Sequence, residues 1–123
     1  MSLLKEKGIQ LLGTITAVTL SATAKNTLYT VSTGKEMYPV FAIADSFSAA
    51  AATAKLDFGV GDSCTSWATG KSATGITATS MNVVLTNNNS VFVMPTAGSV
   101  FGVQTGATDE VATCRVRLFG FEA

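Results

Sequence analysis

Glu110 to Phe121, Glu-Val-Ala-Thr-Cys-Arg-Val-Arg-Leu-Phe-Gly-Phe, is the stretch that decides the fold. Side chains alternate faces along a β-strand. One face of this strand then carries Ala112, Cys114, Val116 and Leu118, a set that suits a core. The other carries Val111, Thr113, Arg115, Arg117, Phe119 and Phe121, and these two arginines are the only ones in the chain. Arginine mixed with aromatics is a composition of protein interfaces, so Arg115, Arg117, Phe119 and Phe121 are candidate interface residues. A second reading stays open: Gly120 marks a bulge that turns the phenylalanines inward. Neither arginine has an acidic neighbour on its own strand face. Their counter-charge must therefore come from another strand or another chain.

Working back from this strand, the rest of the chain also reads as β. Ile9, Leu11, Ile15 and Ala17 alternate, and then Val18 and Leu20 change phase. A one-residue shift flips faces, so Gly13 or Ala17 marks a bulge or corner. Thr27–Ser32 and Glu36–Ala44 are strands flanking the tight turn Thr33-Gly34-Lys35, and the three together read as a hairpin. Pro39 removes a hydrogen-bond donor, which puts it at an edge or beside a bulge. Asp45–Ala54 is Ala-rich but short and Ser-containing, a loop or a single turn. Further strands are expected at Lys55–Val60, at Ser63–Ala68 with Trp67, at Ile76–Thr86 with Val83 and Leu85 on one face, at Val91–Met94 and at Val100–Gln104. Thr69–Gly75 reads as a loop, and Asn87–Asn89 and Pro95–Gly98 as turns. Short strands at regular spacing with turn signals between them make an all-β fold. The expectation is an eight- or nine-stranded antiparallel β-sandwich, jelly-roll-like. Residues 1–7 form an N-terminal arm and residues 8–123 a single β-sandwich domain, which 123 residues are enough to fill with a core.

Composition excludes several classes of function. Basic and acidic residues balance at eight each with no basic run, so no direct nucleic-acid contact is expected. Charged residues are 13% of the chain, about half the usual share. A neutral surface of small residues resists association poorly and fits a protein that works inside an assembly. No apolar run is long enough for a transmembrane helix, so no membrane partner is expected. Glu6 and Gly8 interrupt the start too early for a signal peptide, which points to cytoplasmic synthesis. Cys64 and Cys114 then read as free, buried thiols.

Catalytic and metal chemistry lack their residues. The chain has no histidine, which removes Ser-His-Asp and Cys-His catalysis and histidine metal sites. Gly70-Lys71-Ser72 resembles the end of a phosphate-binding loop, but Thr65 stands where that motif needs glycine and no helix follows. Asn88-Asn89-Ser90 fits a glycosylation sequon and reads as a polar turn. Asp57, Asp62, Asp109 and Glu110 lack calcium-loop spacing. Trp67 is either buried core or an exposed platform for stacking a carbohydrate. No enzyme, cofactor or metal is expected.

Several segments together resemble small proteins encoded among the structural genes of tailed bacteriophages and prophages. They are Leu28-Tyr29-Thr30-Val31-Ser32-Thr33-Gly34-Lys35, Leu56-Asp57-Phe58-Gly59-Val60-Gly61, Trp67, Phe101-Gly102-Val103-Gln104-Thr105-Gly106-Ala107, and Cys114 through Phe121. The motifs are short and span most of residues 27 to 121. The resemblance implies a capsid decoration (cement) protein with a jelly-roll or related β-sandwich fold. Such a protein sits on the capsid exterior of the virion as a homotrimer, or sometimes a dimer. It bridges neighbouring major capsid proteins and carries no catalytic residue or cofactor. Synthesis would be in the host cytoplasm. An alternative is a phage tail or head-fibre module that recognises host-surface glycans, with Trp67, Tyr29 or Tyr38 as the stacking aromatic.

Overall fold

The computed structural model describes residues 8–20, 25–49, 55–61, 64, 66–72, 82–88, 95–105 and 112–123. The described residues are all-β, with no helix. Eight strands follow in chain order: β1 (Gln10–Thr19), β2 (Asn26–Thr30), β3 (Met37–Asp45), β4 (Lys55–Val60), β5 (Ala68–Ser72), β6 (Val83–Leu85), β7 (Val100–Thr105) and β8 (Thr113–Glu122). They form two four-stranded antiparallel sheets, ordered β1-β8-β3-β6 and β2-β7-β4-β5. The pairing is nested. The first strand pairs with the last, the second with the seventh, the third with the sixth and the fourth with the fifth.

Both sheets feed one core. Val18, Ala42, Ala44, Leu85, Cys114, Val116 and Leu118 enter it from the first sheet, and Leu28, Leu56, Phe58, Phe101 and Val103 from the second. Trp67 sits among them at 1% exposure. Its indole meets Phe58 and Phe101 edge-on, each with ring centroids 5.9 Å apart, the geometry that ring quadrupoles favour. Burying one such large apolar side chain contributes roughly 1.5–3 kcal/mol. The sheets are also tied by polar groups, since the Thr105 hydroxyl on β7 donates to the Thr19 carbonyl on β1 (3.0 Å).

β8 keeps the two-residue period read from its sequence. Its buried positions alternate from Cys114 through Val116 and Leu118 to Gly120. The described strand is Thr113–Glu122, Ala112 just before it is buried in the core as expected, and positions 110 and 111 lie outside the described residues. Gly120 is not a bulge. The irregularities lie in the flanking strands, between Leu11 and Gly13 in β1 and between Pro39 and Phe41 in β3. Glycine is required at 120 because a Cβ there would overlap the Tyr38 carbonyl oxygen and come within 3.0 Å of the Pro39 Cα. Gly13 does mark a corner: a Cβ there would overlap the Leu28 carbonyl, where β1 passes close to β2 of the other sheet. A second irregularity in β1 falls between Ile15 and Val18, flanking Ala17. Pro39 stands beside its bulge, ahead of the point where β6 begins to pair with β3 at Ala42.

Four expectations need correction or restriction. The turn at Gly34 is real, with φ of 75° and the Lys35 amide donating to the Ser32 carbonyl. Its two strands, however, do not form a hairpin. Val31 exchanges hydrogen bonds with Ser99 and Gly98, whereas Glu36 exchanges them with Ala123, so β2 is claimed by β7 and β3 by β8. Thr69–Gly75 is not simply a loop, because Ala68–Ser72 is β5, an edge strand on β4. That also takes Lys71 out of any phosphate-binding loop. The strand expected over Ser63–Ala68 is absent at Ser66 and Trp67, where the Trp67 amide instead donates to the Phe58 carbonyl. Of the strand expected over Ile76–Thr86, β6 covers Val83–Leu85, and residues 76–81 lie outside the described residues. The arm at residues 1–7, the strand at 91–94, the sequon at 89–90 and the acidic positions 62, 109 and 110 lie outside the described residues.

Candidate interaction face

β8 lies inside its sheet, between β1 and β3. Its core-facing residues are Cys114, Val116 and Leu118, so Arg115, Arg117, Phe119 and Phe121 project from the opposite, outer face. The structure brings all four candidate residues onto one surface and gives each a partner within the chain.

Asp45, the last residue of β3, stands in register with Arg115. Arg115 donates from Nε to Oδ1 and from Nη2 to Oδ2 of Asp45, both at 2.8 Å, and Arg117 donates from Nη2 to Oδ2, also at 2.8 Å. The Asp45 side chain is 8% exposed, against 38% and 29% for the arginines. One nearly buried carboxylate thus holds two half-exposed guanidinium groups. The hydrogen bonds from Arg115 hold the Asp45 carboxyl below the usual carboxylate range, with the charge of both arginines acting in the same direction. Cys114, immediately before Arg115 in sequence but on the core face, has its thiol pushed up to about 12, first by burial and then by the Asp45 charge. Neither Cys64 nor Cys114 is in a disulfide, and both are buried.

The aromatic half of the face is stacked. Phe119 lies against Phe41 of β3 with centroids 4.9 Å apart, and Phe121 against Tyr38 at 5.0 Å. The Arg117 guanidinium carbon is 5.8 Å from the Phe119 ring centre, a cation–π distance. Phe121 is buried at 5% exposure outside the core cluster, while Phe119 stays half-buried.

Cross-strand neighbours that sequence reading missed complete the surface. Leu11 of β1 lies opposite Phe119, which lies opposite Phe41. One row further along, Thr14, Arg117, Ile43 and Val84 line up across β1, β8, β3 and β6. Ile9, Leu11 and Val84 are the exposed large hydrophobics among the described residues, at 48%, 52% and 64%. Leu11 and Val84 sit in strands of this sheet, and Ile9 immediately precedes β1. Asp45, the one acid closing the apolar run Met37–Asp45, was the sequence's only pointer to the counter-charge of the arginines.

A second polar cluster lies at the end of β8 nearest β2. Glu122 accepts from the Ser32 amide (2.8 Å) and the Ser32 hydroxyl (3.1 Å), and the Tyr29 hydroxyl also donates to it. These bonds, Tyr29's first, hold the Glu122 carboxyl below its usual range. Burial raises the Tyr29 phenol, and the bond to Glu122 adds to that. An open groove bounded by Gln10, Leu11, Leu12, Tyr29, Lys35 and Glu122 surrounds the cluster. Trp67 is not available as a carbohydrate platform, because it is enclosed in the core. No group of three or more acidic or cysteine side chains suited to a metal ion occurs among the described residues. No helix among them is long and apolar enough to cross a membrane.

No protein-family model matches the chain, and no curated protein matches it. A solved structure described as the cyanophage Pam1 capsid asymmetric unit contains a chain of similar fold, with a TM-score of 0.57 and 16% identity. The likeness covers 91% of this chain and 83% of that one, so it extends over nearly the whole fold and not one motif.

Proposed function

We propose that this chain is a structural protein of a tailed-phage virion that decorates the head and stabilises it by bridging neighbouring major capsid proteins. The observation that carries this reading is the fold likeness, over 91% of the chain, to a chain of a phage capsid asymmetric unit. Nested pairing of eight strands in the orders β1-β8-β3-β6 and β2-β7-β4-β5 is that of a long hairpin folded over on itself. That supports a jelly-roll sandwich. A non-enzymatic role agrees with a face whose two arginines are held by one carboxylate. Arg115 and Arg117 are held by Asp45, an arrangement that builds a shape and not a reactive centre. In this reading the protein is made in the host cytoplasm, joins the capsid exterior as a homotrimer, and meets its partners through the face carrying Arg115, Arg117 and Phe119, with Phe121 as backing. Residues 1–7 form an arm and the rest one domain.

Two measurements test it. Mass spectrometry of purified virions should find the protein, and heads lacking it should bind it in co-sedimentation. Its absence from virions together with no binding to heads would sink the proposal. Binding to a glycan array without binding to heads would transfer the chain to the class of fibre modules.

A further inference from the structure

We infer that the arginine end of the outer β1-β8-β3-β6 face receives a carboxylate, an aspartate or glutamate side chain on another virion protein, with Arg117 as the group that binds it. That the acid stands on the head surface rests on the virion reading, while the carboxylate itself follows from the side chains.

Charge is out of balance at this end of the face. Two guanidinium groups share one carboxylate, so the cluster keeps a net positive charge. Among the described residues, Asp45 is the only acid in ion-pair contact with either arginine. Asp45 is nearly buried and the arginines are half-exposed, so the uncompensated charge faces outward.

Hydrogen-bond donors are in surplus too. A guanidinium group presents a planar fork of N–H groups and accepts nothing. Asp45 takes two of these donors from Arg115 but one from Arg117. The Arg117 Nε is buried and has no acceptor, so Arg117 is the less completed of the two. A second carboxylate can take N–H groups that Asp45 leaves, in the two-pronged geometry that Arg115 already uses on Asp45.

The neighbours of Arg117 indicate what carries that carboxylate. Thr14, Arg117, Ile43 and Val84 form one cross-strand row, and its two ends, Thr14 and Val84, are exposed. A free inorganic anion makes no use of the apolar half of this row. An acidic residue in a peptide segment does: its carboxylate meets Arg117 while an apolar neighbour rests on Ile43 and Val84. A different protein is favoured as the source, because Asp45 and Glu122 are already engaged within this chain.

The chain has only two arginines, so nuclear magnetic resonance can follow their Nε–H signals separately in the wild-type protein. The probes are a short end-blocked peptide carrying one glutamate beside a leucine, and its glutamine counterpart. The glutamate peptide should shift the Arg117 signal saturably and the glutamine peptide should not. Heads lacking the protein supply a second measurement. Arg117→Gln, checked for folding by circular dichroism, should weaken co-sedimentation with them at least about tenfold, the loss expected for a central arginine of a contact. If that variant does not fold, the peptide titration decides alone. No response to either peptide, equal responses to both, or heads that hold Arg117→Gln as tightly as wild type would each overturn the inference. So would a shift caused by inorganic phosphate and not by the glutamate peptide. A shift that appears on concentrating the protein alone would overturn it as well, by naming a second copy as the occupant. A protein whose Arg117 responds to the glutamate peptide but which binds no heads removes the virion reading and leaves the carboxylate site standing. Full head binding by Arg117→Gln does the reverse.

Discussion

Asp45 and Arg115 face each other in register across β3 and β8 and share two hydrogen bonds of 2.8 Å, although 70 residues separate them in sequence. The bond is of the planar, two-pronged kind in which arginine outperforms lysine. It answers the question posed by two arginines on a strand with no acid beside them: the counter-charge comes from a neighbouring strand of the same chain. Arg117 joins the same carboxylate, so one aspartate fixes both cations while their outward surfaces remain open.

Asp45→Asn should destabilise the fold by about 1–3 kcal/mol at neutral pH, the range for hydrogen bonds to a charged group. The folded-state pKa of Asp45 is depressed. Its contribution is therefore fully present above the ordinary carboxylate pKa and is lost as pH falls through the depressed folded value. The stability gap between wild type and Asp45→Asn should accordingly close as the solution is acidified below the usual carboxylate range. Urea unfolding of both proteins across acid pH measures this, and a gap independent of pH would contradict it.

Gly120→Ala should cost about 1–3 kcal/mol, the usual penalty for forcing atoms into filled space. The added carbon would overlap the Tyr38 carbonyl oxygen in the neighbouring strand, so β3 and β8 must separate there. Gly34→Ala is the informative comparison. A Cβ there meets nothing within 4 Å, and only the positive φ opposes it, which should cost nearer 1 kcal/mol. Gly120 has no positive φ to strain, so a loss no larger than that at Gly34 would show that the neighbouring strand yields to the added carbon.

What was legible in the sequence was local. Alternation from Cys114 to Leu118 revealed β8 and its core face, because a two-residue period needs no partner to be seen. The flanking irregularities of β1 were signalled by Gly13 and by the phase change after Ala17. For Trp67 the sequence offered core or platform, and the structure decides for core. What failed was pairing between distant segments. The turn at Gly34 showed where the chain reverses, but nothing in Thr27–Ala44 states that β2 belongs to β7 and β3 to β8. Partner choice depends on residues about 70 positions away, as it does for Asp45. The candidate face was half visible for the same reason. The residues of β8 could be read as a set, whereas Leu11, Phe41 and Val84 join them only through sheet order.

Both thiols should be silent in the folded protein. Cys64 and Cys114 are each 0% exposed, and burial pushes the Cys114 thiol up to about 12, so it holds almost no reactive thiolate at neutral pH. A thiol reagent should find two groups in denaturant without reductant and essentially none under native conditions. Rapid native labelling of Cys114 would mean that β8 opens locally far more often than a central strand should.

Glu122 should act as a clasp between the sheets, and Tyr29 reports on it. Glu122 ends β8 in one sheet, while Tyr29 lies in β2 of the other and Ser32 just beyond it. The Glu122 carboxyl is held below its usual range by these donors, so the clasp is intact above the ordinary carboxylate pKa and is released as pH falls through the depressed value. The same bond raises the Tyr29 phenol, because ionising the hydroxyl destroys its donation and places a second negative charge beside the carboxylate; burial contributes the larger share. Glu122→Ala removes both effects of the carboxylate and leaves the burial, which raises the phenol, and the smaller opposing effect of the Ser32 hydrogen bond. An ultraviolet titration should therefore show Tyr29 ionising at lower pH in the variant than in the wild type, yet still above a free tyrosine, with Tyr29→Phe identifying its signal against Tyr38. The variant should also lose about 1–2 kcal/mol of stability, from hydrogen bonds made by a charged but solvent-accessible group. An unchanged Tyr29 titration would mean that the phenol does not donate to Glu122 in solution, leaving the Ser32 amide and hydroxyl as the donors to that carboxylate.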